Sequence, residues 1–230
     1  MSRPGYRPGE YVSPISTLQR LARKAAEASA TEQEQCELCG ERIPHDHRHL
    51  LEVVPREARC VCYPCSVLFD REAASLGKFK LIPDRRLYLP DFLLADAEWD
   101  RLRVPVGLAF CFHSTPARQA VAFYPAPMGA TQALLETEVW QAVERRNPVL
   151  RGLQPDVEAL LVNRTRANRD HYVVPIDECF RLVAVIRTTW RGLTGGQAVW
   201  QGVDAFFQSL QSRSKTLKGD TACQSSAICG

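Results

Sequence analysis

The sequences CELCG at residues 36–40 and CYPC at residues 62–65 form two Cys-x-x-Cys pairs. Two such pairs supply four thiolates, which is a common ligand set for a tetrahedral metal site. Gly40 follows the first pair, at a position where a positive φ angle favours glycine. The separation of the pairs, with a predicted hairpin between them, is typical of zinc ribbons. We therefore expect Cys36, Cys39, Cys62 and Cys65 to bind one metal ion.

The four-thiolate ligand set narrows the choice of metal. A tetrahedron of thiolates suits both zinc and iron. It leaves no open coordination position, so its default role is structural, and we favour zinc. Rubredoxin iron sites usually have glycine after both pairs, whereas Ser66 follows the second pair here. A rubredoxin-like iron site is the alternative.

Other potential ligands lie close to these pairs. Cys60 shares one face of an extended strand with Cys62, and we favour a small buried core residue over a further ligand or a nearby thiol. His45, His47 and His49 alternate in the same way. We expect them to be solvated, with one hydrogen-bonded beside the metal. A second metal site, or replacement of a cysteine ligand, are the alternatives.

The composition excludes several classes of function. The 230 residues are 45% hydrophobic, and the formal net charge is +3. The longest apolar run, residues 104–112, is about half of the roughly 20 residues that span a bilayer, so we expect no membrane insertion. The small charge makes nucleic acid an unlikely partner, and a zinc-ribbon nucleic-acid binder is only the second alternative function. Nine cysteines without a visible signal peptide indicate the reducing cytoplasm.

The remaining patterns predict an α+β fold in four parts. Cys223 and Cys229 lie within residues 215–230, and we assign them no role. The parts are a flexible N-terminus with a short helix (1–33), a zinc-ribbon- or rubredoxin-like four-cysteine module with flanking strands and a helix (34–102), a mixed α/β domain with an antiparallel sheet and packed helices (103–214), and a disordered tail (215–230).

Apolar spacing locates the longer helices. Helices are predicted over residues 131–146, 177–190 and 197–210, although β-branched residues leave a strand open for 177–190. Ser66 is expected to cap a helix over residues 66–74.

No recognisable catalytic motif is present, and we expect no enzymatic activity. Cys111 and His113 lie two residues apart on a predicted strand, but a thiol in an apolar run is usually inert. Acidic neighbours disfavour the thiolate of Cys179. The polar run at residues 163–171 is equally compatible with anion binding and with a solvated turn.

Several longer sequence segments are more specific signals than the two cysteine pairs alone. They are CELCG (36–40), HRHLLE (47–52), CVCYPC (60–65), PDRR (83–86), FHS (112–114), NPVLRGLQPDVEALLVNR (147–164) and VPIDECFRLVAVIRTTWRG (174–192). Over about residues 34–210 the sequence resembles an uncharacterised bacterial family, often encoded in actinobacteria beside genes for high-affinity, actinobacterial-type nickel–iron hydrogenases. The resemblance implies a role in hydrogenase assembly, maturation or electron transfer, with hydrogenase subunits or maturation factors as partners. It implies no catalytic residue.

Overall fold

The computed structural model describes residues 34–126, 129–191 and 196–218. The helix expected within residues 1–33 lies outside the described residues, and so do Cys223 and Cys229. No described helix combines the length and the apolar composition that a bilayer crossing requires.

A small antiparallel sheet of three strands, in the order β2-β1-β3, carries the cysteine pairs. We call residues 34–82 the small lobe. The hairpin expected between the two pairs is present, formed by the first two strands. The elements are β1 (Arg48–Glu52), β2 (Glu57–Val61), α1 (Tyr63–Phe69), α2 (Glu72–Ser75) and β3 (Phe79–Leu81).

A seven-stranded sheet organises residues 87–216, which we call the large lobe. Its order is β10-β4-β9-β8-β5-β6-β7, and all pairs are antiparallel except β10 with β4. The strands are β4 (Leu87–Tyr88), β5 (Leu108–Ser114), β6 (Gln119–Ala126), β7 (Gly129–Leu134), β8 (Glu158–Asn163), β9 (Asp170–Pro175) and β10 (Lys215–Thr216). The helices are α3 (Asp96–Arg101), α4 (Thr137–Arg146), a 3-10 turn (Pro148–Gly152), α5 (Ile176–Thr189) and α6 (Gly196–Arg213).

Helices cover both faces of this sheet, so the large lobe has three layers. Alternate residues of β5 face opposite sides. Phe110 and Phe112 pack with α5 and α6, whereas Ala109 and Cys111 pack with α3 and α4. Burial on both faces explains why all six residues of β8 are buried. The expected mixed α/β fold with antiparallel sheets is thus present.

The two lobes pack directly against each other. Leu50 of β1 is buried in the small lobe, whereas the next residue, Leu51, is buried in the core of the large lobe. Lys80 of β3 donates to the buried Asp156 over 2.6 Å. The small sheet therefore has one face on its own core and one on the large lobe.

Some elements differ from the sequence expectation. Residues 131–146 are not one helix, because 129–134 pair with β6 as an edge strand before α4 begins. The helix over residues 177–190 is confirmed as α5, so the strand alternative is wrong. Past the boundary expected at residue 214, β10 joins the large sheet. Residues 87–101, expected with the cysteine module, supply β4 and α3 to the large lobe.

Candidate metal centre

The first cysteine pair lies in a tight turn before β1. The amide of Gly40 donates to the carbonyl of Cys36 over 2.8 Å, and the amide of Cys36 donates to the carbonyl of Glu41 over 2.7 Å. Gly40 has a φ angle of 78°, which confirms the positive φ expected there. The turn therefore presents Cys36, which is buried, and Cys39, which is exposed, on one short loop.

The second pair lies at the start of a helix. Cys62 is the N-cap of α1, and Cys65 is buried in its first turn. The helix therefore starts before Ser66, which is buried within it and donates its hydroxyl to the carbonyl of Tyr63. The expectation that Ser66 caps the helix is wrong, because Pro64 already favours a helical start there.

The four sulfurs of Cys36, Cys39, Cys62 and Cys65 lie within 4.8 Å of one another. The Sγ atoms of Cys39 and Cys62 are 3.6 Å apart, and all four thiols are free. Metal–sulfur bonds of about 2.3 Å in a tetrahedron separate the sulfurs by about 3.8 Å. The four cysteines therefore fit one tetrahedral metal ion, as the sequence predicts, and they are not joined as disulfides.

The electrostatics of the site differ from cysteine to cysteine. Burial raises the pKa of Cys36, but backbone amides of Cys62, Leu38 and Cys39 outweigh it and lower that pKa to about 6. Burial and the neighbouring sulfurs raise the pKa of Cys65 far above its usual range. Four thiolates therefore need a cation to coexist at neutral pH.

Two arginines near the site are directed to other groups. Arg59 binds the carboxylates of Glu37, Glu52 and Glu57. Arg56 reaches across to the Ser114 hydroxyl of the large lobe. A metal ion is thus the natural counter-charge for these sulfurs.

A second group of potential ligands lies on the same hairpin. His47, His49 and Cys60 place their ligand atoms within 4.8 Å of one another. His45, which alternates with the other two histidines in the sequence, is not part of this group. Burial and the carboxylates of Glu37 and Glu34 raise the pKa of Cys60. The sequence expectation is that the three histidines are solvated, with one hydrogen-bonded beside the metal; His47 is hydrogen-bonded to the carbonyl of Pro44, and its side chain is only 7% exposed.

The weaker candidates are not assembled into a site. Burial raises the pKa of Cys111 to about 12, so this thiol stays neutral and inert. His113 instead contacts the carboxylate of Glu144 over 2.6 Å. Cys179 is fully buried, and burial raises its pKa well above the usual range. Neither thiol has the properties of a nucleophile.

Side chains of the polar run at residues 163–171 contact other parts of the protein. Arg164 is buried, stacks on the ring of Trp99 and donates to the carbonyl of Leu94. Arg166 pairs with an acidic residue of α6, Asp204. His171 is buried in β9. Arg164 and Arg166 are thus paired with different carboxylates, Asp96 and Asp204, and the ring of His171 stacks on Phe92.

Two carboxylates at the histidine group were missed in the sequence. Asp177 of α5 lies 3.3 Å from Nδ1 of His49, and Glu34 lies 3.2 Å from Nδ1 of His47. No local spacing links residues 49 and 177, which meet only because the lobes pack together. Glu34 lies just ahead of the first cysteine pair, but nothing in the sequence pairs it with His47.

Comparison with known proteins gives one informative result. The profile of a family of unknown function, DUF5947, matches residues 35–214, which include all four cysteines and both lobes. No curated protein and no solved structure matches the chain. Because the match covers most of the sequence, the chain belongs to this family of unknown function, DUF5947.

Proposed function

We propose that the chain is a non-enzymatic accessory protein whose small lobe is organised by a structural zinc ion. The observation that carries this function is the approach of four free cysteine sulfurs, from two separate loops, to within 4.8 Å of one another. Four thiolates fill the tetrahedron of zinc and leave no position for a substrate. The ion's role is therefore to fix the shape of the lobe, in the reducing cytoplasm where thiols persist.

Apolar side chains beside the metal site support a role in protein–protein contact. Tyr63 and Leu68 of α1 are 65% and 53% exposed, and Leu76 after α2 is 91% exposed. Both helices follow directly from the second cysteine pair, so zinc binding fixes the position of this surface. Exposed apolar side chains on the helices next to the metal site support a protein-binding role for this part of the small lobe.

The partner in this proposal is a nickel–iron hydrogenase subunit or one of its maturation factors. Support for that choice comes from the sequence resemblance and from the apolar surface beside the metal. The chain would assist assembly, maturation or function of the hydrogenase by binding to it.

Metal analysis tests the structural ion. The purified full-length chain is expected to contain zinc and to be colourless. The Cys36→Ser/Cys39→Ser variant is expected to lose the ion bound at the four cysteines. Cys111→Ala, which removes a thiol from the large lobe, is the matched control and is expected to keep it. Full metal content in the double variant would overturn the ligand assignment.

Co-purification tests the partner. Tyr63→Ser/Leu68→Ser is expected to keep its zinc and to lose tagged hydrogenase subunits in a pull-down with co-expressed partners. Leu93→Ser removes a similarly exposed apolar side chain from the large lobe and serves as the control. Equal capture by both variants would exclude the α1 surface as the contact.

A rubredoxin-like iron electron carrier is the second candidate. Three backbone amides lower the pKa of Cys36 despite its burial, and hydrogen bonds to sulfur also tune the potentials of iron–sulfur sites. An iron-loaded chain would show a visible thiolate charge-transfer band that bleaches reversibly on reduction. Colourless zinc protein excludes this function.

A further inference from the structure

The strands of the small lobe bring two histidines and a cysteine to one place. His47 directly precedes β1 and His49 is the second residue of that strand, so the two alternate along an extended segment and share a face. Cys60 of β2 pairs directly with His49 in the antiparallel register. The ligand atoms of the three residues lie within 4.8 Å of one another. None of these residues belongs to the four-cysteine group.

Both imidazoles are oriented through one ring nitrogen. Nδ1 of His47 contacts the carbonyl of Pro44 over 2.9 Å and the carboxylate of Glu34 over 3.2 Å. Nδ1 of His49 contacts the carboxylate of Asp177 over 3.3 Å. Metal-binding histidines show this arrangement, since an oxygen acceptor on one nitrogen fixes the ring and makes the other nitrogen a better ligand.

The other nitrogen of His47 has no partner among the described residues. Its side chain is only 7% exposed, and Nε2 is buried without a hydrogen bond. A buried polar atom without a partner costs about 1–3 kcal/mol, so such atoms need an explanation. A metal ion held together with His49 and Cys60 supplies one.

We propose that His47, His49 and Cys60 form a second divalent metal site, separate from the four-cysteine centre, that binds zinc. Two imidazoles and one thiolate match the borderline-soft character of that ion. Two nearby carboxylates, Glu34 and Asp177, add negative charge around the ion. Because Asp177 belongs to α5, the site also connects the small lobe to the large lobe.

Three protein ligands leave the fourth position of a zinc tetrahedron for water. A cleft of about 660 Å³ adjoins the two histidines and runs between the lobes, past Asp177 and Arg181. The second ion is therefore accessible to solvent from one side, unlike the closed four-cysteine ion.

The two metal sites share one structural connection. Glu37, between the cysteines of the first pair, accepts the amide of Cys60 over 2.8 Å, and its own amide donates to the carbonyl of Cys60 over 2.9 Å. The first pair thus fixes the backbone of Cys60. The second site nevertheless has its own ligands, so variants of the two histidines or of Cys60 test it without altering the four cysteines.

Zinc stoichiometry is the primary test. The full-length chain, loaded with zinc and desalted, is expected to hold two ions per chain by elemental analysis. His47→Gln/His49→Gln and, separately, Cys60→Ser are each expected to hold one. His45→Gln is the matched control, because His45 lies in the same segment outside the group, and it is expected to hold two.

The outcomes separate this site from the four-cysteine centre. Loss of one ion in Cys36→Ser/Cys39→Ser, with none lost in the histidine or Cys60 variants, overturns the second site and leaves the first intact. Loss in the histidine and Cys60 variants alone supports the second site and rejects the first.

X-ray absorption of the unsubstituted, zinc-loaded chain covers the case in which a variant fails to fold. The spectrum is expected to show both sulfur and histidine nitrogen bound to zinc. Averaged over the two ions of one chain, about two histidine nitrogens are expected. A shell of sulfur alone, or one ion per chain at saturating zinc, overturns the second site.

Discussion

The two lobes are stabilised by different means. The large lobe buries apolar side chains on both faces of its sheet, including Phe110 and Phe206 on one face and Leu160 on the other. The small lobe has a core of only a few buried side chains, and two of them are the cysteines Cys36 and Cys65. In one lobe burial of hydrocarbon supplies the free energy of folding, whereas in the other the proposed metal ligands occupy the place of a core.

The difference between the lobes indicates which part of the chain a metal ion would stabilise. A unit of this size buries too little apolar surface to offset its loss of conformational entropy. Metal binding contributes free energy directly to folding, because the unfolded chain has no preformed site. The small lobe should therefore depend on its metal and the large lobe should not.

Metal removal is the strongest test of that contrast. Structural zinc contributes about 10–16 kcal/mol in zinc-finger peptides, which exceeds what a small apolar core supplies. A strong chelator is expected to abolish amide protection in β1, β2 and β3 while β5 and β8 stay protected. Hydrogen exchange measured by mass spectrometry resolves these segments.

Two further results would decide the interpretation. Restoring zinc should restore protection of the small sheet, which excludes irreversible damage by the chelator. Full protection of β1 in the metal-free chain would contradict the contrast, because the apolar contacts of the small lobe would then suffice.

Local spacing made the four-cysteine site predictable. Cys36 with Cys39, and Cys62 with Cys65, are each a few residues apart, and the hairpin that joins the pairs also has a local signal in its short apolar strands. The three-ligand group was only partly foreseen. The alternation of His47 and His49 was visible, but their burial and the role of Asp177 depend on contact between the lobes.

The same reason explains the errors in the fold. Apolar spacing over residues 131–146 resembles a helix, yet pairing with β6 at the sheet edge overrides that preference for the first part. Leu134, which would lie on the apolar side of a helix over these residues, is instead 64% exposed in β7. Similarly, the two-residue strands β4 and β10 exist only because the large sheet offers them an edge.

A buried ion cluster in the large lobe provides the next largest effect. The carboxylate of Glu178 is fully buried and contacts Arg86 over 2.7 Å and Arg213 over 2.6 Å. Burial raises the pKa of Glu178, but Arg213 and Arg86 outweigh it, so the pKa is lowered. Glu178→Gln is expected to cost about 3 kcal/mol, the upper end for hydrogen bonds to a charged group, because the partly exposed Arg86 and Arg213 lose their charged acceptor.

Urea unfolding followed by tryptophan fluorescence measures this loss. Zinc content at the four cysteines should not change, since the cluster lies in the large lobe. Asp204→Asn, which removes an exposed pair with Arg166, is the control and should cost less than about 1 kcal/mol. A large loss of zinc in Glu178→Gln would show that the lobes are not independently stabilised.

His171, the buried histidine of β9, makes the stability of the large lobe depend on pH. Burial, together with the charge of Arg164, lowers the pKa of His171 from 6.5 to about 4. Between these values the unfolded chain binds a proton that the folded chain does not. Stability is therefore complete above about pH 6.5 and falls by about 3 kcal/mol as the pH decreases to 4.

The comparison of His171→Leu with the unsubstituted chain isolates this contribution. Acid also releases metal from thiolates, but it does so equally in both proteins. The stability difference between the two proteins is expected to change by about 2.5 kcal/mol in favour of the variant from pH 7.5 to pH 4.5. A difference that does not change with pH would mean that His171 titrates normally.

The smallest expected effect is at the contact between the lobes. Lys80 of β3 donates to the buried carboxylate of Asp156 over 2.6 Å and to the hydroxyl of Thr115 over 3.0 Å. Lys80→Met removes a hydrogen bond to a charged group, which contributes about 1.5–3 kcal/mol. Lys78→Met is the matched control, because Lys78 is more exposed and pairs with Glu52 within the small lobe.

Thermal unfolding of the zinc-loaded chain should show the contrast between these two lysines. Each kcal/mol shifts the midpoint by about 2–4 °C for a chain of this size, so Lys80→Met should lower it measurably and Lys78→Met by little. Asp156 keeps its bond from the amide of Thr115 in the variant, which limits the loss. Equal shifts for both lysines would mean that the contact of Lys80 with Asp156 contributes no more stability than an exposed pair.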